Sequence, residues 1–162
     1  PTVNFPMGLY SSKLKNISEL ADSATIAIPN DPTNGGRALL VLADNGLIKL
    51  DASKGLKVTT IDVTENPKNL KFVELDAAQL PRSLEDVDAA VINTNYALEA
   101  GLDPAGGALI REGEKAPYVN VLVVRTEDKD ADWVKTLVSS YHNPEVKQFI
   151  ADTFKGSVIP AW

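Results

Sequence analysis

Short runs of apolar residues alternate along the chain with longer segments in which apolar residues recur every three or four positions. The short runs at 25–28, closed by Pro29, and at 89–92 are almost wholly apolar or β-branched, which is typical of buried strands. Further strands are predicted at 58–63, 71–75 and 118–124. The last of these is nearly continuously apolar and therefore predicts a strand that is covered on both faces.

Capping residues mark where the helical segments begin and end. Asp31-Pro32 combines an N-cap residue with a proline in the first turn and predicts a helix that ends near Asn45-Gly46. Other helices are predicted from Pro81 to about Asp86, over 132–141, and from the Asn143 cap to Gly156. This alternation of strands and helices indicates an α/β fold.

The composition narrows the range of functions. The chain has 162 residues, of which 44% are hydrophobic and 23% charged, which is typical of one globular domain. Sixteen Lys and Arg against 22 Asp and Glu give a net charge of −6, which argues against a nucleic-acid partner. The sequence contains no cysteine, so thiol nucleophiles and Cys-ligated zinc are excluded.

Catalytic and metal-binding motifs are weak. The single histidine, His142, lies at a turn between two predicted helices and has no recognisable nucleophile to serve. The acidic run at 128–132 resembles the start of a calcium loop, but Trp133 and Ser139 stand where that loop requires Gly and Glu. No glycine-rich nucleotide motif occurs. We therefore expect neither an enzyme, nor a metal site, nor a cofactor.

Three polar residues lie where strands and helices meet. Arg37 follows two glycines in the first turns of the helix after strand 25–28, where a guanidinium can bind a carboxylate. Asn93 ends a buried strand, and Asn120 interrupts an apolar one. Amides and a guanidinium together suit an amino acid. The alternative is that Arg37 is a surface residue of a capped helix and the two asparagines are structural.

Six stretches, in the same order along the chain, resemble the methionine-binding lipoproteins of bacterial ABC importers, the NlpA type. They are Met7-Gly8-Leu9-Tyr10-Ser11, Ile28-Pro29-Asn30-Asp31-Pro32-Thr33-Asn34, Glu65-Asn66-Pro67-Lys68-Asn69-Leu70, Gln79-Leu80-Pro81-Arg82-Ser83-Leu84, Val91-Ile92-Asn93-Thr94 and Pro117-Tyr118-Val119-Asn120. Together they span nearly the whole chain.

This resemblance implies a two-lobed, periplasmic-binding-protein-like fold of type II that binds L- or D-methionine in the cleft between lobes. It implies a substrate-binding protein that passes its ligand to a membrane permease with a separate ATPase subunit. Its location would be the periplasm or, as a lipoprotein, the extracytoplasmic face of the cell membrane. Carried over by motif, Arg37 binds the ligand carboxylate, Asn93 and Asn120 hold its amino and carboxylate groups, and Asn34 is a fourth ligand-binding residue.

Against this resemblance, we expect a family member that lacks the segment before Met7-Gly8 and the lipid-anchored cysteine. We therefore expect one nearly complete lobe at 12–92 and a partial lobe formed by 1–11 and 93–162. The alternative function is that of a truncated family member acting as a non-transport interaction or structural module. Such a chain would self-associate through sheet edges exposed by the loss of the first strands.

Overall fold

The structure is a computed structural model that describes residues 1–113 and 116–162. Its strands are short and are spread along the whole chain. In chain order they are β1 Val3–Asn4, β2 Gly8–Tyr10, β3 Thr25–Pro29, β4 Lys49–Leu50, β5 Val63–Glu65, β6 Lys71–Leu75, β7 Ala89–Ile92, β8 Ile110–Arg111 and β9 Ile159–Pro160.

The helices alternate with these strands, which confirms the predicted α/β class. They are α1 Pro32–Asp44, α2 Leu80–Ser83, α3 Thr94–Glu99, α4 Asp132–Tyr141 and α5 Pro144–Phe154. Short 3-10 turns lie at Ile17–Glu19, Ala52–Lys57, Thr60–Asp62, Ala77–Gln79 and Thr126–Asp128.

The chain divides into two compact units, and the larger one comprises Pro6–Gly113. A five-stranded mixed sheet in the order β6-β3-β7-β2-β8 forms its centre. β3 is parallel to both β6 and β7, whereas β2 is antiparallel to β7 and β8. A two-stranded ladder of β4 and β5 completes the unit.

The alternation of side chains along the central strands produces two apolar layers in the larger unit. Ile26, Ile28 and Val91 belong to the layer that contains the buried face of α1. Ala27 and Ile92 belong to the opposite layer, which includes residues of α2 and α3. Because β7 is buried along its whole length, it has the continuous apolar sequence that predicted it.

The smaller unit contains Pro1–Phe5 and residues 116–162. β1 pairs antiparallel with β9, so that Val3 faces Pro160 and Asn4 faces Ile159. Its small core contains Val3, Ile150 of α5 and Val158. α4 and α5 lie where the sequence predicts helices, and Val134 and Ile150 are their buried residues.

Two predicted strands are wrong. Within 58–63, Thr60–Asp62 form a 3-10 turn, in which the Asp62 carboxylate accepts hydrogen bonds from the Thr59 amide and hydroxyl, each at 2.8 Å. The 118–124 stretch forms only a single bridge, between Val119 and Asn4, in the described part of the chain. Local capping in the first case and a shortage of pairing partners in the second override the apolar pattern.

The compact units have other bounds than the predicted lobes at 12–92 and at 1–11 with 93–162. β2 lies between β7 and β8, so its residues and those up to Gly113 pack with the larger unit. The lobe division itself stays a prediction.

The described part of the chain contains no helix with the length and hydrophobicity that a membrane span needs.

Candidate functional site

One edge of the five-stranded sheet gathers the polar residues of interest. β3 and β7 are parallel neighbours, so the residues that follow them, Asp31 and Asn93, lie at the same edge. β2 runs the other way and begins at this edge just after Met7, and β8 ends there just before Glu112. Residues distant in sequence therefore converge on the start of α1.

α1 places Asn34 and Arg37 on one face, because residues three apart in a helix are neighbours. Asp31 caps the helix by accepting a hydrogen bond from the Asn34 amide at 2.9 Å. Gly35 lets this turn lie close to the end of β3. A Cβ at Gly35 would stand 2.8 Å from the Pro29 carbonyl oxygen.

The guanidinium of Arg37 is buried and bonded to a carboxylate. Its Nε donates to Glu112 Oε1 at 2.8 Å, and its Nη2 forms a close ion pair with Glu112 Oε2. The two side chains are only 10% and 4% exposed. Glu112 also accepts a hydrogen bond from the Met7 amide at 3.2 Å. Arg37 is thus a carboxylate-binding residue that already holds a carboxylate of its own chain.

Asn34 and Asn93 are in direct contact. Asn93 Nδ2 donates to Asn34 Oδ1 at 2.9 Å, and Asn34 Nδ2 donates to both carboxylate oxygens of Asp31, at 3.2 and 3.0 Å. Asn93 Oδ1 is buried and has no hydrogen-bond partner among the described residues. The structure therefore brings three of the four predicted ligand-binding residues to one place.

Asn120, the fourth predicted residue, belongs to the smaller unit. Its amide donates to the Val3 carbonyl at 3.0 Å, and its carbonyl accepts from the Thr2 amide at 2.7 Å and the Thr2 hydroxyl at 3.1 Å. These bonds hold the backbone, while the residue as a whole is exposed. Its predicted role in ligand binding stays a prediction.

Sequence reasoning missed Glu112 and saw Asp31 only as a helix cap. Glu112 lies in a polar stretch beside Gly113, with no periodic signal to mark it as buried. Its burial depends on β8, a strand of only two residues, and on the pairing of β8 with β2. The spacing of Asp31 and Asn34 was the one available signal of their contact.

A cavity of about 170 Å³ lies beside the N-terminal turns of α1. Its lining includes Pro29, Gly36, Val58 and Glu74, but none of the predicted ligand-binding residues.

Across the described ranges, no group of three or more His, Asp or Glu side chains could hold a metal ion. His142, in the smaller unit, stacks on Trp162 with 5.0 Å between ring centroids.

Comparison with known proteins adds three findings. The profile of the NlpA lipoprotein family matches residues 1–162. The D-methionine-binding lipoprotein MetQ of Escherichia coli K12 is 48% identical over 163 residues, which cover 99% of this chain and 60% of MetQ. The curated relatives are longer proteins: the chain spans 58% of the length of the probable MetQ of Pasteurella multocida and 60% of that of Escherichia coli K12 MetQ.

Solved structures share the fold. A nutrient-binding protein from Burkholderia cenocepacia, solved bound to methionine, is 52% identical with a TM-score of 0.92, over 99% of this chain and 68% of its own. A periplasmic substrate-binding protein of an ABC transporter from Coxiella burnetii is 49% identical with a TM-score of 0.90, over 99% of this chain and 67% of its own. These matches confirm the predicted periplasmic-binding-protein-like fold.

Proposed function

The chain belongs to the NlpA lipoprotein family, and from this premise we propose that it binds methionine as the substrate-binding component of a bacterial ABC importer. In this role it catalyses no reaction. The relatives named for D-methionine binding and the methionine-bound neighbour support methionine as the ligand. Permease and ATPase subunits are its proposed partners.

The observation that carries this proposal is the convergence of Arg37, Asn34 and Asn93 at one edge of the sheet. A free amino acid presents a carboxylate and an ammonium group. The first needs a cationic donor and the second needs acceptors. Arg37 and the two amides supply both kinds of group, and Asn120 stays the fourth proposed ligand contact.

Glu112 already binds the guanidinium of Arg37, which is the group proposed to bind the ligand carboxylate. A guanidinium has five N–H donors, and Glu112 takes two of them, on Nε and Nη2 of Arg37. We propose that the ligand carboxylate competes with Glu112 for the same guanidinium. The buried position of the pair keeps water away, which strengthens a charge-assisted hydrogen bond.

The test is a calorimetric titration of the complete gene product that contains these 162 residues, with L- and D-methionine in separate runs. Arg37→Ala is expected to lower the affinity about 100-fold or more, because a charged hydrogen-bonding partner of the carboxylate is lost. Arg82→Ala is the matched control, since Arg82 is exposed and lies outside the site. Absence of heat with both enantiomers, or equal affinity in the Arg37 variant, would overturn the proposal.

The place of action is part of the same proposal. The relatives are named lipoproteins, which supports a position at the extracytoplasmic face of the bacterial cell membrane or in the periplasm. Fractionation of cells that express the complete gene product tests it, and recovery of the protein in the cytoplasmic fraction would contradict it.

A further inference from the structure

Three side chains form a continuous hydrogen-bonded series at the site. The carboxylate of Asp31 accepts from Asn34 Nδ2, and Asn34 Oδ1 accepts from Asn93 Nδ2 at 2.9 Å. All three side chains are half-buried. The series joins the N-cap residue of α1 to Asn93, the N-cap residue of α3.

The chemistry of the first member sets the orientation of the other two. An ionised carboxylate can only accept hydrogen bonds, so Asn34 must turn its NH₂ group towards Asp31. Asn34 then presents its oxygen to Asn93, and Asn93 must donate a hydrogen bond from its own NH₂ group to that oxygen. Asn93 Oδ1 is therefore the last atom of the series and accepts no hydrogen bond within it. It is buried and without a partner among the described residues.

We propose that Asp31 is a positioning residue that acts through Asn34 to fix the Asn93 amide with its oxygen as the acceptor for the ligand's ammonium group. This inference rests on the proposed function and adds how the site selects an ammonium. A buried carbonyl without a partner is unfavourable, and a charged N–H donor relieves that penalty. An amide in the opposite orientation would present a donor and repel the ammonium.

Asp31→Asn tests the orientation with little change in shape. Asparagine is as good an N-cap as aspartate, so α1 keeps its cap. The new NH₂ group, however, faces the NH₂ group of Asn34. The side-chain amides of Asn34 and Asn93 then both invert to restore donor–acceptor pairing. We expect the affinity for L-methionine to fall about 10- to 100-fold. The affinity for 4-(methylsulfanyl)butanoate, which lacks the amino group, should change less than about threefold, because no ammonium is involved.

A double variant provides the rescue. In Asp31→Asn with Asn34→Asp, residue 34 becomes the acceptor-only member and accepts from both neighbours. Asn93 must again donate its NH₂ group and present its oxygen. The double variant should regain most of the lost affinity for L-methionine, which a purely structural role of Asp31 would not explain. Asp76→Asn is the control, since Asp76 caps another turn by accepting from the Ala78 amide.

Side-chain amide NMR tests the same orientation without ligand. In the unaltered protein, the NH₂ protons of Asn93 are expected to exchange slowly, and in Asp31→Asn to shift and exchange faster. Unchanged Asn93 signals in that variant, or a parallel loss of affinity for both ligands, would overturn the role of Asp31. Failure of the unaltered protein to bind methionine would instead overturn the proposed function, so the two failures are distinguishable.

Discussion

Glu112 and Arg37, which are 75 positions apart in the sequence, form a buried ion pair that joins the residue after β8 to the first turns of α1. The same carboxylate accepts from the Met7 amide, and the Glu112 amide donates back to the Met7 carbonyl at 2.8 Å. The pair therefore links three separate segments of the larger unit. Charge neutralisation at this point is a condition for burying either group.

Removing one member of this pair should destabilise the fold far more than removing both. Arg37→Met leaves the Glu112 carboxylate buried without its cation, and a cost of about 3–5 kcal/mol in the free energy of unfolding is expected. Glu112→Met should cost a similar amount. The double variant should cost clearly less than the sum, because neither charge remains. Urea denaturation of the four proteins measures the coupling.

The exposed pair of Lys49 with Glu65 is the control for that cycle. Its side chains are 69% and 59% exposed, so Lys49→Met should change the free energy of unfolding by less than about 1 kcal/mol. Strict additivity of the Arg37 and Glu112 substitutions would contradict the assignment of a coupled buried pair.

Close packing of α1 against the 3-10 region at 52–57 depends on Gly36. A Cβ at this position would stand 2.8 Å from the Val58 carbonyl oxygen, a backbone atom that cannot rotate away. We expect Gly36→Ala to lower the free energy of unfolding by about 1–3 kcal/mol. Thermal denaturation measures the effect. Gly113→Ala is the matched control, since no described atom lies within 4 Å of its Cβ position, and a loss of equal size there would refute the steric argument.

The elements next to the site could be predicted because their signals are local. The strand at 89–92 is apolar throughout, and the helix at 32–44 is bounded by an aspartate cap and an Asn-Gly pair. Arg37 and Asn93 were found because they occupy junctions where ligands bind in α/β proteins. Glu112 could not be found in this way, because its role arises from a long-range strand pairing.

The 118–124 segment shows the opposite failure, an apolar run that is not a strand. Val121 is 58% exposed and Val123 is 84% exposed, although the sequence predicts burial on both faces. A strand needs neighbours for its backbone groups, and apolar residues alone do not provide them. Self-association through sheet edges exposed by a loss of the first strands stays a prediction, and sedimentation velocity of the 162-residue chain tests it.

Because the Val123 side chain is exposed, its substitution should change the free energy of unfolding very little. Val123→Ala removes methyl groups that are already in water, so the free energy of unfolding should change by less than about 0.5 kcal/mol. Ile92→Ala, at a fully buried position of β7, should cost about 2–5 kcal/mol. Equal losses for the two variants, measured by urea denaturation, would show that the 118–124 segment is buried after all.

Tyr10 is the buried ionisable group whose titration the structure predicts. The residue is 2% exposed, and its hydroxyl has no hydrogen-bond partner among the described residues. Burial raises the pKa of Tyr10 from 10.0 to about 12, against a smaller lowering by the charge of Arg111. Because the folded state holds the phenol in its neutral form, the unfolded state releases this proton first as the pH rises.

The stability of the protein should therefore fall between pH 10 and about 12 by an amount that Tyr10→Phe removes. Below pH 10 the phenol is neutral in both states and causes no loss; the loss begins above pH 10, where the unfolded state releases the proton, and is complete once the pH has passed the folded-state pKa of about 12. A shift of this size corresponds to roughly 2–3 kcal/mol. At pH 7 the variant should be as stable as the unaltered protein or about 1 kcal/mol more stable, because a buried hydroxyl without a partner is removed. Urea denaturation of both proteins at pH 7 and pH 11 measures the difference, and parallel loss of stability in the two proteins would refute the assignment to Tyr10.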